Sequence, residues 1–74
     1  MDLFPPTLHD QIREVEAEIA MRRKVYPRLV DSGRMSQKQA DRKMELMQAI
    51  LATLNTVASI GVVRETQNIQ RQQR

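Results

Sequence analysis

A chain of 74 residues with a formal net charge of +3 can build one small domain and no more. The absence of Cys excludes disulfides and thiolate metal sites, and a single His cannot build a zinc site by itself. One Phe, one Tyr and no Trp leave little for stacking on nucleic-acid bases, whereas the aliphatic residues and five Met suit packed helices. A domain this small without cross-links is expected to be stabilised by self-association.

Residues 1–6 are predicted to form an extended lead, because Pro5 and Pro6 disfavour a helix before them. This stretch has no basic segment followed by an apolar one, so we expect no secretion signal.

The first helix is predicted over about residues 7–31, with Thr7 as its N-cap and Asp10 in its first turn. Glu18 is placed to pair with Arg22, four residues further on. One face repeats at spacings of four and three, which indicates a heptad seam: Leu8, Ile12, Val15, Ile19, Arg22, Tyr26 and Leu29.

Pro27 interrupts this pattern, since it removes one backbone donor and crowds the preceding turn. The seam nevertheless stays in phase to Leu29, so we expect a kink at Pro27 and continuation to about Asp31. A stop near Val25 is the alternative.

Residues 32–35 are predicted to form a tight turn, with Gly33 in the left-handed conformation that ends helices. Ser36 and Gln39 have the spacing of a capping box, which predicts a second helix over about residues 36–60. So short a connection predicts an antiparallel helical hairpin of the all-α class.

The second helix contains an uncharged run of eighteen residues, Leu46 to Val63. Its expected seam is Ala40, Met44, Met47, Leu51, Leu54 and Ala58, and further apolar residues widen that surface: Leu46, Ala49, Ile50, Val57 and Ile60. A helix that is apolar over most of its circumference is buried on more than one side. The polar, Gln-rich tail over residues 63–74 is expected either to extend the helix or to be at least partly disordered.

Three ways of covering the uncharged run remain: a membrane span, a second copy of the chain, or a different protein. Gln48 and Asn55 are costly in lipid, so we expect no membrane span. We predict a homodimer that forms a four-helix bundle, with self-association through Met47, Ile50, Leu51, Leu54, Val57 and Ala58.

Basic residues gather toward the turn end of the predicted hairpin, namely Arg22, Arg23, Lys24, Arg28, Arg34, Lys38, Arg42 and Lys43. They are candidates for binding an acidic protein partner or, alternatively, nucleic acid. Arg22, in the seam, has Asp41 as a candidate partner across the turn. His9 has no nucleophile or second His beside it in the sequence, so we expect neither an enzyme nor a cofactor.

The segment from Glu18 to Leu54 resembles one found in small bacteriophage and prophage proteins. The pattern I-x-M-R-x-x-V-Y-P-x-x-V-x-x-G-x-M, followed by A-D and M-x-A-I, is carried by Ile19, Met21, Arg22, Val25, Tyr26, Pro27, Val30, Gly33, Met35, Ala40, Asp41, Met47, Ala49 and Ile50. The resemblance covers about half the chain and brings no catalytic residues. It implies a phage-type protein in the bacterial host cytoplasm, of a kind that commonly modulates a host or phage protein.

The sequence therefore predicts a non-catalytic, phage-type accessory protein that binds a host or phage protein through helix surfaces. The alternative is a nucleic-acid-associated accessory protein that uses the basic turn end.

Overall fold

Two helices make up the described part of the chain in a computed structural model, α1 over Leu8–Asp31 and α2 over Gln37–Gln72. The structure describes residues 5–72, with side chains as far as Gly61, and holds no strand within that range. The predicted all-α class is confirmed. Residues 1–4 of the predicted lead and residues 73–74 of the predicted tail lie outside the described residues.

A capping box begins α1. The Thr7 hydroxyl oxygen accepts a hydrogen bond from the Asp10 backbone N–H at 3.0 Å, and the Thr7 N–H donates to Asp10 Oδ2 at 3.0 Å. The backbone N–H groups of Thr7 and Asp10 thereby each donate to the side chain of the other residue. The predicted N-cap at Thr7 is confirmed, and Asp10 takes the role that Glu or Gln usually fills.

Pro27 lies inside α1, which continues to Asp31 and does not stop near Val25. Without an N–H, Pro27 leaves the Arg23 carbonyl without its usual partner within the helix. The seam stays in phase on both sides of Pro27. By continuing past Pro27, the helix keeps the seam packed against α2.

The turn between the helices has the hydrogen bonds of a Schellman motif. The Gly33 N–H donates to the Val30 carbonyl at 3.1 Å, and the Arg34 N–H donates to the Leu29 carbonyl at 2.9 Å. Gly33 has a φ of 78°, as predicted for a residue that ends a helix in the left-handed region.

The predicted capping box of α2 is present. Ser36 Oγ accepts from the Gln39 N–H at 3.0 Å, and Gln39 Oε1 accepts from the Ser36 N–H at 3.1 Å. The connection over residues 32–36 is too short for anything but antiparallel neighbours. The molecule is a helical hairpin.

The core between α1 and α2 is thin. Only Ile19 and Ala40 are buried among the described hydrophobic side chains, at 5% and 4% exposure. The other predicted seam residues of both helices are half-buried: Leu8, Ile12, Val15, Arg22, Tyr26, Leu29, Met44, Met47, Leu51, Leu54 and Ala58. Both predicted seams therefore face each other, yet the pair of helices shields few side chains completely.

The register of the hairpin follows from Arg22, whose Nη1 donates to the Lys43 carbonyl at 3.4 Å. Stepping along both helices from this contact at about 1.5 Å per residue brings Leu8 level with roughly Val57. The rest of α2, to Gln72, extends past the beginning of α1.

Candidate interaction surfaces

A second apolar stripe runs along α2, outside the seam with α1. Its large side chains are about half exposed: Leu46 at 46%, Ile50 at 46%, Val57 at 50% and Ile60 at 48%. With exposed Thr53 between them, they recur at spacings of four and three, which is the heptad spacing of a helix that packs on another helix. We call Leu46, Ile50, Thr53, Val57 and Ile60 the outer stripe.

The outer stripe cannot share the partner that covers the seam. At about 100° of rotation per residue, its centre lies roughly 120° around α2 from the centre of the seam. Turning α2 to cover the stripe with α1 would expose Ala40 and Leu51. The apolar breadth that the sequence shows is therefore divided between two separate faces, of which α1 covers one.

The residues predicted to drive self-association fall on both of these faces. Four of them are half-buried on the seam toward α1: Met47, Leu51, Leu54 and Ala58. Ile50 and Val57 are exposed and belong to the outer stripe. The predicted set does not include Leu46 and Ile60, although their spacing of four and three residues from Ile50 and Val57 indicates that they share the same face.

The predicted basic residues surround the turn end of the hairpin and do not share one face. Seven are exposed: Arg23, Lys24, Arg28, Arg34, Lys38, Arg42 and Lys43. Arg42 makes a surface ion pair with Glu45 at 3.4 Å, and pairs this exposed contribute little to stability. The others form a diffuse field of positive charge about the turn.

Arg22 differs from the rest because its guanidinium is held by its own surroundings. Its Nε donates to Glu18 Oε1 at 2.9 Å, which confirms the predicted pair, and its guanidinium carbon lies 5.6 Å from the centre of the Tyr26 ring. These contacts fix Arg22 across the seam, where it ties α1 to the Lys43 carbonyl.

The expected partnership of Arg22 with Asp41 is wrong. Asp41 Oδ1 instead accepts a hydrogen bond from Gln37 Nε2 at 2.8 Å, one turn earlier on α2. Glu18 lies one turn before Arg22 on the same helix. The pair within α1 therefore forms without the side-chain ordering that a pair between the two helices would need.

Charge is unevenly distributed along the hairpin. Residues 22–43 carry the eight basic side chains against Asp31 and Asp41, whereas residues 10–18 carry four carboxylates and one Arg. The register sets that acidic part of α1 beside the uncharged part of α2. The hairpin is thus strongly basic at its turn end and acidic toward its open end.

A groove of about 320 Å³ opens between the helices near the turn. It is lined by apolar and charged side chains of both signs: Arg22, Arg23, Tyr26, Pro27, Val30, Asp31, Gln37, Ala40, Asp41 and Met44. Gln37 and Asp41 lie roughly 180° and 140° around α2 from the centre of the outer stripe, so the groove opens on a different side of α2 from the stripe.

The hydrogen bond from the Thr7 backbone N–H is the main cause that lowers the pKa of the Asp10 carboxyl, and a hydrogen bond with the Thr7 side chain lowers it further. Asp10 thus acts as a helix cap. In the described range, no cluster of three or more His, Asp or Glu could hold a metal ion. Neither helix, over the residues searched, combines the length and apolar character that a membrane crossing requires.

Comparison of the chain with protein-family models, with curated proteins and with solved structures found no match. The phage resemblance therefore stays a prediction, and the functional argument depends on the surfaces described above.

Proposed function

We propose that this chain is a non-catalytic, phage-type accessory protein that self-associates through α2 and binds a host or phage protein. The observation that carries the proposal is the outer stripe, an exposed apolar face with helix-packing periodicity on a hairpin that buries only Ile19 and Ala40. Two hairpins packed through their stripes form a four-helix bundle.

Covering the stripe is favourable for each of its large side chains. Burying the exposed half of a Leu, Ile or Val contributes roughly 1 kcal/mol. In a symmetric dimer every such side chain is buried twice, once in each copy. The added stability matters because the small core of a single hairpin stabilises it little.

A binding role also agrees with the chemistry of the side chains outside the stripe. Among the exposed charged residues, Arg42 pairs with Glu45 and Asp10 caps α1, and the basic turn end offers an acidic protein surface an attractive field. We further propose that α1 bends at Pro27, where the missing hydrogen bond permits it to curve around α2.

Light scattering on the purified chain tests the self-association. We expect a mass of twice 8.6 kDa at micromolar concentration. Replacing Ile50 and Val57 together by Glu should halve that mass, because the substitution places charges in the stripe. Met21 is a matched control, since it is 44% exposed and lies on α1, so Met21→Glu should remain a dimer.

A monomeric wild-type chain would contradict self-association, and equal loss of mass in the Met21 control would contradict the stripe as its site. The alternative function, nucleic-acid association, is supported by the exposed basic residues at the turn. It requires binding to duplex or single strands that weakens steeply as salt rises, whereas capture of a protein partner that survives nuclease treatment favours the main proposal.

A further inference from the structure

We infer that two copies of this chain pair with their α2 helices antiparallel about a two-fold axis near Thr53, so that the basic turn ends point in opposite directions. The inference rests on the proposed self-association and adds its geometry and its consequence: a rod-shaped adaptor with two equivalent binding ends.

The composition of the outer stripe suits an antiparallel copy of itself. Thr53 is its central residue, and Leu46 and Ile60 lie at equal distances of seven residues on either side. An antiparallel two-fold axis through Thr53 places Leu46 of one hairpin beside Ile60 of the other, and large apolar side chains meet at both ends. No charged residue occurs between Leu46 and Gly61, so no like charges are brought together within the stripe.

The basic turn end decides between antiparallel and parallel pairing. Residues 22–45 carry eight basic and three acidic side chains, and Lys38, Arg42, Lys43 and Glu45 precede the stripe on α2. Parallel helices would set two such ends side by side, where desolvation and repulsion oppose association. Antiparallel helices separate the two ends by far more than the Debye length, which is about 8 Å at physiological ionic strength.

The acidic part of α1 does not alter this choice. Residues 10–18 lie level with the middle of the stripe, so they come to equal heights in the two hairpins whichever way the helices run. An antiparallel axis at Thr53 sets each turn half level with the distal part of α2, where Arg64, Glu65 and Arg71 carry a net charge of only +1. Parallel pairing instead sets two basic turn halves side by side, so the difference in charge favours the antiparallel arrangement.

The unequal helix lengths agree with the same arrangement. α2 has 36 residues against 24 for α1, and its excess lies beyond the beginning of α1. With the axis at Thr53, this excess helix of one copy runs beside the turn half of α2 in the other copy. In a parallel pair, the excess part of each α2 would contact only the excess part of the other α2.

The consequence for function is bivalence. Arg34 in the turn is nineteen residues from Thr53, so the two turn ends stand roughly 57 Å apart at 1.5 Å of rise per residue. Two identical basic ends on one rigid body can engage two acidic sites at once, which raises avidity when a partner presents such sites at that spacing. The partner that this geometry fits is an acidic protein surface present in at least two copies.

Single cysteines test the arrangement directly, because the wild-type chain contains none. Thr53→Cys should be joined efficiently into a covalent dimer by a bis-maleimide shorter than about 10 Å, because the two-fold axis brings the two thiols together. Leu46→Cys alone should not be joined, since antiparallel pairing sets its two copies roughly 21 Å apart at 1.5 Å per residue. A mixture of Leu46→Cys and Ile60→Cys should give the mixed dimer.

Gln48→Cys is the control, because Gln48 is exposed on α2 but lies roughly 160° around the helix from the stripe. It should stay unlinked under the same conditions. If light scattering gives a dimer and Leu46→Cys alone cross-links, the pairing is parallel and the inference is overturned while self-association stands. A monomer that cross-links at no position overturns both.

Discussion

At the scale of single residues, the caps show how local chemistry sets the helix boundaries. The Asp10 carboxylate accepts the Thr7 N–H, and this hydrogen bond holds its pKa below the ordinary value of 3.8. Because the charged form is the one stabilised in the folded state, the contribution of Asp10 is fully present above pH 3.8. It is lost as the pH falls from there through the lower pKa of the folded protein.

Replacing Asp10 by Asn tests this cap. The variant should unfold at a slightly lower temperature than the wild type at pH 7, because a neutral amide is a weaker acceptor and does not complement the helix dipole. The difference should shrink and disappear when both proteins are melted well below pH 3.8. A difference that is equal at both pH values would show that the carboxylate charge contributes nothing.

Arg22 shows where sequence reasoning succeeds and fails for a single side chain. Its place in the seam and its pair with Glu18 follow from spacing along one helix. Its contact with the Lys43 carbonyl, and the engagement of Asp41 by Gln37, depend on the register between helices. Several acidic residues lie near the connection between the helices, and the sequence alone does not show which of them pairs with Arg22.

At the scale of elements, the two glycines have opposite conformational roles. Gly33 ends α1 with a φ of 78°, whereas Gly61 lies inside α2, and a Cβ added at either position would meet no other atom within 4 Å. Any effect of adding a methyl group therefore comes from the backbone. The sequence predicted the turn at Gly33 from its flanking caps.

The pair makes a matched experiment on helix boundaries. Gly33→Ala should lower the free energy of unfolding by about 1–2 kcal/mol, because an L-residue is strained in the left-handed region. Gly61→Ala should raise it by roughly 0.5–1 kcal/mol, because Ala loses less backbone freedom in a helix. Urea unfolding followed by circular dichroism measures both, and two changes of the same sign would contradict the assigned conformations.

The distal end of α2 is the element that the sequence left open. The second helix is predicted to about residue 60, with the tail either helical or partly disordered, and in the structure the helix passes through Gly61 and continues to Gln72. A single Gly costs a helix only about 1 kcal/mol, and the following residues include no Pro and no capping pattern that would stop it. Where helix and coil are so nearly balanced, composition alone does not place a boundary.

At the scale of the whole molecule, the central fact is that α2 has two apolar faces and α1 covers one. The sequence indicated this excess, because the uncharged run is too wide for one seam. The predicted self-association set spans both faces, because it combines the exposed Ile50 and Val57 with the half-buried Leu51 and Leu54. In the sequence, the two apolar faces of α2 look like one wide apolar surface. The exposure of each side chain in the structure is what assigns it to one face or the other.

We expect this division to couple folding to association. A hairpin with two buried hydrophobic residues has little core of its own, so a large part of its stability should come from covering the outer stripe. When two folded chains bind each other but unfolded chains do not, the folded state is favoured by mass action as concentration rises.

The measurement that tests this most directly is the melting temperature at different protein concentrations, followed by circular dichroism. A dimer whose folding and association are coupled should melt roughly 10 °C higher when its concentration is raised a hundredfold, given an unfolding enthalpy of about 0.7 kcal/mol per residue. The variant with Glu at positions 50 and 57 should lose that dependence and melt lower. A single cooperative transition of the wild type whose midpoint does not change over the same range would contradict the account.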